Sequence, residues 1–260
     1  MKRQRIRKLF LLISFLLFPV TLFYFSPYLI ILGGFTGIIS GSFILFTALF
    51  LFSLVIGRAF CGWLCPAGGL QECCMLAVDK RITGRKINRI KYIIWAPWIG
   101  VIALSLIRAG GIHSVDFFYM TEHGISALSI EGMVTYYGIL LLIALLALLL
   151  GRRGMCHSIC WIAPFMVIGT TIKNKFGNPS LHLEAVPANC VNCGLCSKNC
   201  PMSLEVTQMV QDNQMKDTEC ILCGACADTC PKKAIRLTFS GGRKNYSARD
   251  IKSYPGIADK

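Results

Sequence analysis

The first part of the chain alternates between long apolar runs and short basic segments. Residues 1–8 carry five Lys or Arg side chains, and the next charged residue is Arg58, so 49 uncharged residues lie between them. A membrane-spanning helix needs about 20 apolar residues, so this run suits two helices. Turn-forming residues between positions 26 and 34 divide it. The pattern predicts spans at about residues 9–27 and 35–57.

Two further apolar runs predict two more spans. Residues 92–107 are uncharged, and their Tyr and Trp side chains suit the membrane interface, so we predict a span at about 92–108. The most apolar run of the chain predicts a span at about 133–151, which two arginines follow. Residues 161–172 are apolar but too short to cross a membrane, which favours an interfacial or re-entrant segment.

The composition is typical of a membrane protein with a soluble part. Of the 260 residues, 54% are hydrophobic and 15% are charged, and the formal net charge is +14. Residues 1–180 hold 17 Lys or Arg against 5 Asp or Glu, whereas residues 181–260 hold 10 against 8. A nucleic-acid surface would explain a basic excess in a soluble protein. Here the basic residues cluster at the ends of apolar runs, so membrane topology explains them better and no nucleic-acid partner is expected.

The positions of these basic residues predict the orientation of the chain in the lipid bilayer. Lys and Arg number 5, 7 and 4 in three segments on one side, residues 1–8, 58–91 and 152–175. The two connectors on the other side, 26–40 and 109–131, hold none. By the positive-inside rule the basic segments face the cytoplasm. We therefore predict a multi-pass protein of the cytoplasmic membrane, with an α-helical domain of four spans at residues 1–180 and both termini in the cytoplasm.

The polar part of the chain contains eight cysteines in two copies of one spacing. The copies are Cys190, Cys193, Cys196 and Cys200, before Pro201, and Cys220, Cys223, Cys226 and Cys230, before Pro231. C-x2-C-x2-C-x3-C-P is a ligand pattern of [4Fe-4S] clusters. Zinc sites usually have one set of four ligands with a wider gap, and disulfides are typical of secreted domains. The doubled pattern favours two [4Fe-4S] clusters, and a cytoplasmic position keeps the thiols reduced.

This stretch closely resembles the bacterial two-cluster ferredoxins. The resemblance implies a small α+β domain, which we place at residues 181–237, before a polar tail at 238–260. It also implies that three close cysteines hold one cluster and that the fourth reaches across to the other. The first cluster would be held by Cys190, Cys193, Cys196 and Cys230, and the second by Cys220, Cys223, Cys226 and Cys200.

A second set of cysteines lies where the predicted second and fourth spans meet the cytoplasm. Cys61 and Cys65 form one Cys-x3-Cys motif, and Cys156 and Cys160 form another, each with an arginine three residues before its first cysteine. An offset of 95 residues superposes the motifs, so the membrane domain looks duplicated. On a helix each pair would share one face, and the pairs could supply one site, serve separate sites, or only pack. The arginines favour a redox or metal site, such as a further cluster or a copper site.

The chain as a whole resembles the membrane-bound polyferredoxins of the NapH type, in a wider group with NosR-like and CcoG-like proteins. The resemblance rests on the apolar spans, both Cys-x3-Cys motifs and the ferredoxin cysteines, and it extends to about residue 236. It implies four spans, cytoplasmic termini and a proline after each Cys-x3-Cys motif. Pro66 fits, but Trp161 stands in the corresponding position of the second motif. This departure makes Cys156 and Cys160 the weaker candidates for a redox site.

Electron transfer between the quinone pool and a partner oxidoreductase or electron carrier, as in a quinol dehydrogenase, is the leading hypothesis. A bilayer-embedded part can meet a lipid-soluble quinone, and two clusters offer one-electron steps. The chain would then be an electron-transfer subunit of an oxidoreductase system, and no catalytic residue is assigned. The alternatives are an assembly factor that reduces a metal or thiol for a respiratory enzyme, and a redox-sensing regulator. The sequence has no Cys-x-x-Cys-His motif for covalent haem and no nucleotide-binding glycine motif.

Overall fold

A computed structural model of the chain describes residues 2–176 and 179–241. The helices of the first part are α1 (Lys2–Leu16), α2 (Phe18–Thr21), α3 (Pro27–Thr36), α4 (Gly41–Ile56), α5 (Ala59–Trp63), α6 (Pro66–Cys74), α7 (Ile90–Arg108), α8 (Ile130–Leu150), α9 (Gly154–Ser158) and α10 (Ala163–Phe176). The second part contains α11 (Leu195–Lys198), α12 (Val206–Gln211) and α13 (Ala225–Thr229). The strands are β1 (Ile38–Ser40), β2 (Ser114–Asp116), β3 (Ser180–Ala185) and β4 (Ile235–Ser240). Single 3-10 turns lie at Leu22–Phe25, Arg85–Arg89 and Pro187–Asn189.

Two helices among the described residues are long and apolar enough to cross a membrane. They are Lys86–Arg108, which includes α7, and Ile130–Leu150, which is α8. A third candidate is α1 together with Phe18–Phe25, if these two segments, bent by 57° relative to each other, form one span. The bend falls beside Pro19, whose missing N–H interrupts helical hydrogen bonding. By length and composition the structure therefore supports two to three spans, where the sequence predicts four.

The span predicted at residues 35–57 is divided in the structure. α3 ends at Thr36, and Gly37 takes a left-handed conformation with a φ of +69°. A Cβ at this position would lie 2.3 Å from Cδ2 of His113, so the turn requires glycine. α4 begins only after Ser40 and has 16 residues. At about 1.5 Å per residue, it is about 24 Å long, shorter than the hydrocarbon core of about 30 Å.

The two connectors without Lys or Arg lie together at one end of the helices. β1 comes from the connector 26–40 and β2 from the connector 109–131, and the two strands pair in parallel. Ile38 pairs with Ser114, and Ser40 pairs with Asp116. The pairing fixes α3 and α4 to the end of α7.

The apolar segment predicted at residues 161–172 forms most of α10, which packs along α4. A Cβ on Gly169 would lie 1.7 Å from Oγ of Ser53, so the two helices approach closely at this glycine. The Phe165 ring meets the Trp98 ring edge-on, with a centroid distance of 5.7 Å. One face of α10 is thus buried against neighbouring helices.

The second part of the chain combines short helices with an antiparallel pair of strands. β3 and β4 pair over their full length, with Leu183 opposite Leu237 and Ser180 opposite Ser240. β4 therefore extends three residues beyond the predicted domain boundary at 237, because its pairing with β3 continues to Ser240. The rest of the predicted polar tail, from residue 242 onward, lies outside the described residues.

One buried cluster of side chains is continuous through both parts of the protein. It includes Phe46 of α4 and Cys61 of α5 in the helical part, and Met202, Ile221 and Ile235 in the second part. The second part therefore packs directly on the helices. Because the cluster includes Cys61, this packing lies beside the first Cys-x3-Cys motif.

Candidate iron–sulfur centres

The two ferredoxin motifs share one backbone conformation. Gly194 and Gly224 have φ angles of +71° and +72°, and each directly precedes a one-turn helix. Positive φ also recurs at Asn192 and Leu222, two residues before each glycine. Leucine rarely adopts this conformation, so the fold of the loop imposes it at Leu222. The repeated cysteine spacing thus reflects a repeated loop structure.

The structure gathers the eight ferredoxin cysteines around two cavities. One cavity, with about 340 Å³ of empty space that is partly open to solvent, is lined by Cys190, Cys193, Cys196 and Cys230. The other, with about 390 Å³, is lined by Cys200, Cys220, Cys223 and Cys226. We call them the outer and the inner cavity. Each cavity receives three cysteines from one motif and the last cysteine of the other motif, which is the arrangement that the resemblance implies.

The residues of both cavities fit a [4Fe-4S] cluster. Each cavity offers four cysteines between apolar walls, such as Val210 and Ile235 in the outer one. The backbone N–H of Ala234 donates to Sγ of Cys230 at 3.2 Å, a contact of the kind that orients and tunes cluster ligands. In residues 2–176 and 179–241, no three His, Cys, Asp or Glu side chains are close enough to share a single metal ion. The cysteine sets are therefore spaced more widely than a zinc site requires.

Burial sets the protonation of the free thiols in the inner cavity. Burial raises the pKa of Cys220 to about 12 and that of Cys200 to about 11, and the nearby Cys223 adds to both shifts. Without bound metal these thiols are therefore neutral at physiological pH. Because iron binds thiolates, cluster insertion must release protons from them.

The inner cavity lies against the helical part, whereas the wall of the outer cavity includes an exposed cysteine. Nε1 of Trp63 in α5 donates to the carbonyl oxygen of Leu222 at 3.2 Å, within the second motif. A Cβ on Gly62 would lie 2.3 Å from the carbonyl oxygen of Ile221, so the two backbones are in direct contact. In the first motif, by contrast, Cys193 is exposed. The second motif therefore lies against α5, whereas the first motif contacts the helical part through Arg152 at Cys200 and is exposed at Cys193.

The first Cys-x3-Cys motif does not lie on one continuous helix. Cys61 belongs to α5, whereas Cys65 follows that helix in an extended conformation and caps the start of α6. Pro66 disfavours the helical conformation for the residue before it, which explains the break. The prediction that each motif places both thiols on one helix face is therefore wrong.

The second motif has the same local structure without the proline. The backbone N–H groups of Ile159 and Cys160 both donate to the carbonyl oxygen of Met155, at 3.1 and 3.0 Å. In the first motif the N–H groups of Leu64 and Cys65 donate to Phe60 in the same way, at 2.9 and 3.0 Å. The indole of Trp161, which replaces the proline, donates to the carbonyl oxygen of Phe25 at 2.8 Å. The departure from the family pattern thus leaves the backbone of the motif unchanged.

The two Cys-x3-Cys motifs lie against each other. Nη1 of Arg153 donates to the carbonyl oxygen of Cys61 at 2.6 Å, and Nε2 of Gln71 donates to Sγ of Cys156 at 3.3 Å. Three of the four thiols are buried, and that of Cys160 is half-buried. Each thiol lies within electrostatic range of the other three. Burial and this mutual repulsion raise the pKa of Cys160 to about 12. We call these four cysteines the membrane-side thiols.

Two groups of buried ions surround the membrane-side thiols. In the first, Glu219 pairs with Arg58 at 2.5 Å and with Lys91 at 2.7 Å. Burial alone would raise the pKa of Glu219, but these two cations outweigh it and lower the pKa to about 2. Since Glu219 directly precedes Cys220, this group also binds the second ferredoxin motif to the helices.

The second group has the same composition. Glu72 pairs with Arg7 at 2.7 Å and with Arg153 at 2.5 Å. The two arginines outweigh the effect of burial and lower the pKa of Glu72 to about 2. Each group therefore contains two cations and one carboxylate. Because the arginines at positions 58 and 153 correspond in the duplicated motifs, the two groups form an approximate repeat.

Sequence reasoning identified the cysteines and the paired arginines but not the carboxylates or the amide beside them. Glu72, Gln71 and Glu219 carry no recognisable spacing, and they reach their partners through the tertiary fold. The available signal is that Glu72 and Asp79 are the only acidic residues among the first 115. An isolated carboxylate in an apolar, basic segment is a reason to look for a buried ion pair.

Comparison with protein families agrees with these sites. A model described as "4Fe-4S binding domain" matches twice, over residues 40–86 and 133–179, and each match contains one Cys-x3-Cys motif. A model described as "4Fe-4S dicluster domain" matches residues 182–245, which contain all eight ferredoxin cysteines. The double match of the first model supports the duplication inferred from the sequence.

Two relatives with descriptive names are similar over part of the chain. "Putative electron transport protein YccM" of Escherichia coli (strain K12) is 26% identical over 199 residues, which are 71% of this chain and 52% of that protein. "Methylamine utilization ferredoxin-type protein MauN" of Methylorubrum extorquens is 29% identical over 154 residues, 58% of this chain and 50% of that protein. The chain thus spans about half the length of each. No solved structure matches it significantly. The chain contains 4Fe-4S ferredoxin-type domains and is similar to iron–sulfur proteins of electron transport.

Proposed function

We propose that this protein is a membrane-bound iron–sulfur electron-transfer protein of the NapH type, which relays electrons between the quinone pool and a partner oxidoreductase. The observation that carries the proposal is the contact between the inner cavity and α5. The carbonyl groups of Ile221 and Leu222, beside the inner cavity, touch Gly62 and Trp63 of α5. α5 directly follows the apolar helix α4. A redox centre in the inner cavity would therefore lie next to the part of the protein that meets the lipid.

The protein's own groups would hold two clusters in different environments. When bound, a [4Fe-4S] cluster in each cavity supplies one-electron redox chemistry. Cys200 and Cys226 are buried in the inner cavity, and buried Met202 and Ile221 form part of its apolar wall. In the outer cavity, by contrast, Cys193 is exposed. This difference in cysteine burial supports an inner site that communicates with the membrane and an outer site that communicates with a soluble partner.

The orientation is part of the proposal, with the termini and the ferredoxin domain in the cytoplasm. The guanidinium of Arg3 forms a salt bridge of 2.8 Å with Asp228, and Nε2 of Gln4 donates to the carbonyl oxygen of Cys223 at 2.9 Å. The basic segment 1–8 and the ferredoxin domain therefore share one side of the molecule. β1 and β2, from the two connectors without Lys or Arg, lie at the opposite ends of the candidate spans. This arrangement supports a multi-pass position in the cytoplasmic membrane.

Reconstituted protein tests the proposal. The full chain with its clusters would be purified without oxygen and inserted into liposomes that contain menaquinol or ubiquinol, and a soluble one-electron acceptor dye would be added outside. We expect quinol-dependent reduction of the dye, and we expect Cys220→Ser to abolish it because this residue lines the inner cavity. Cys73→Ser is the matched control, since Cys73 is an exposed cysteine outside all the motifs, and it should retain the rate.

Two outcomes would contradict the proposed function. One is that no quinol supports dye reduction and no quinone accepts electrons in the reverse direction, although both clusters are present. The other is that Cys220→Ser and Cys73→Ser retain the same quinol-dependent rate.

A further inference from the structure

The charges around the membrane-side thiols do not cancel. Arg58 and Lys91 share one carboxylate, that of Glu219, and Arg7 and Arg153 share the other, that of Glu72. Four cations thus face two anions, so the two groups together carry two excess positive charges. Protonation of His157, a residue of the second motif, would only add to this excess. All four cations are buried, and a buried charge without a counter-ion is strongly unfavourable.

Two nitrogen atoms of these cations have no hydrogen-bond acceptor among the described residues. Within the described part of the chain, Nε of Arg58 and Nε of Arg153 are buried and have no hydrogen-bond acceptor. Their side chains are among the least exposed in the protein, at 1% and 0% relative accessibility. Both arginines act electrostatically on Cys61 and Cys156. The unused donors and the excess charge therefore occur beside the thiols and on equivalent residues of the two motifs.

The thiols also receive backbone dipoles from two helices. Cys65 directly precedes the nine-residue helix α6, and Cys160 lies three residues before the 14-residue helix α10. Backbone N–H groups of Gly68 and Ala163, in the first turns of these helices, favour the thiolate forms of Cys65 and Cys160. Two arginines and the N-termini of two helices therefore favour negative charge on the membrane-side thiols.

The number of excess charges distinguishes between possible occupants. Two disulfides would be neutral and would leave both charges without counter-ions. Four thiolates with one cuprous ion would carry three negative charges. Four thiolates around an oxidised iron–sulfur core, which has two positive charges, carry two negative charges and match the surroundings. A single zinc ion has the same total charge, but no three of the described thiols lie close enough to share one ion.

We infer that Cys61, Cys65, Cys156 and Cys160 hold a third iron–sulfur cluster, whose two net negative charges are neutralised by the excess charge of Arg58 and Arg153. The inference rests on the proposed function and deepens it, because it places a redox centre between the lipid and the inner cavity. Gly62, next to Cys61, touches the carbonyl oxygen of Ile221 in the wall of the inner cavity. The three centres would then form one series from the membrane to the exposed Cys193.

Metal and sulfide analysis of the full chain tests this inference without any quinol. The chain would be purified anaerobically, and iron, copper, zinc and acid-labile sulfide would be measured per chain. With a cubane at the membrane-side thiols we expect about 12 irons, and with a two-iron cluster about 10. Cys61→Ser and Cys156→Ser should each lower the count to about 8, and Cys73→Ser should leave it unchanged. Electron paramagnetic resonance signals of the two ferredoxin clusters should persist in both motif variants, which shows that they fold.

Other results would overturn the inference. About 8 irons in the unmodified chain would mean that the membrane-side thiols hold no cluster, and one copper or zinc per chain would identify another occupant. If the cysteine variants fail to fold, Arg153→Gln gives a second test, with Arg108→Gln at the exposed end of α7 as its control. Loss of one positive charge should lower the reduction potential of one cluster selectively. Equal potentials in both arginine variants would contradict the inference, whereas failure of quinol oxidation alone would contradict only the proposed function.

Discussion

At the scale of single residues, the ligands were predictable and the counter-ions were not. The ferredoxin cysteines repeat at short intervals, so their spacing alone identifies a ligand set. Glu219, however, lies 161 residues from Arg58, and Glu72 lies 81 residues from Arg153. Nothing local requires these pairs, because the packing of distant elements creates them. A basic residue assigned to membrane topology by its position, such as Arg7, proves to be a buried ion-pair partner.

Glu219→Gln should destabilise the protein strongly. The change leaves Arg58 and Lys91 buried with no carboxylate between them, and removal of one partner of a buried ion pair typically costs about 3–5 kcal/mol. The free energy of unfolding would be measured by denaturant titration in detergent, with tryptophan fluorescence as the signal. Glu205→Gln is the control, because Glu205 is 68% exposed and pairs with Arg81, and such pairs contribute about 0–1 kcal/mol. Equal effects of the two changes would contradict the role of Glu219.

The stabilising effect of Glu219 should disappear in acid. Its pKa is about 2 in the folded protein against an ordinary value of 4.5, so its contribution is complete above pH 4.5 and is lost as the pH falls toward 2. The stability difference between the unmodified chain and Glu219→Gln should therefore be constant above about pH 5 and shrink below it. Comparison of the two proteins at each pH cancels the acid sensitivity that they share. A difference that grows on acidification would contradict the assignment.

At the scale of elements, the long uncharged runs predicted the positions of α7 and α8 well. In regions that contain glycine and proline, the sequence predicted the helix boundaries less well. Residues 92–108 and 133–151 match the observed helices within about three residues. The division of the span at 35–57 depends on Gly37, where a left-handed conformation and close approach to His113 in another connector both favour glycine. The break inside the first Cys-x3-Cys motif was predictable in principle, since Pro66 follows Cys65 directly.

Gly62→Ala should disturb the contact between α5 and the ferredoxin domain. A Cβ here would lie 2.3 Å from the carbonyl oxygen of Ile221, which is backbone and cannot rotate away. The loop must shift, and we expect a loss of about 1–3 kcal/mol in unfolding free energy, as for other overpacking substitutions. Electron transfer from quinol to the inner cluster should slow as well. Gly138→Ala in α8 is the control, because outside its own stretch of helix no atom of the described residues lies within 4 Å of the added Cβ. Equal behaviour of the two variants would argue against this contact.

At the scale of the whole molecule, the sequence predicted two parts, and the structure shows how they join. The basic start of α1, the short helix α5 and the buried ion pair of Glu219 all contact the second ferredoxin motif. The first motif remains open to solvent at Cys193. This asymmetry could not be read from the sequence, because the two motifs have the same spacing. In the proposed electron relay, the second motif would be the end near the membrane, and the first motif would be the end that meets a partner.

Freeze-quench electron paramagnetic resonance tests the central claim most directly. The full chain, with oxidised clusters and reconstituted in lipid, would be mixed with menaquinol or ubiquinol, frozen at increasing times, and compared with samples reduced by dithionite and reoxidised by quinone. We predict that at least one quinol reduces a cluster, or that its quinone reoxidises one, within the time of a single turnover. The account would be contradicted if dithionite reduces every cluster while no quinol reduces and no quinone oxidises any of them.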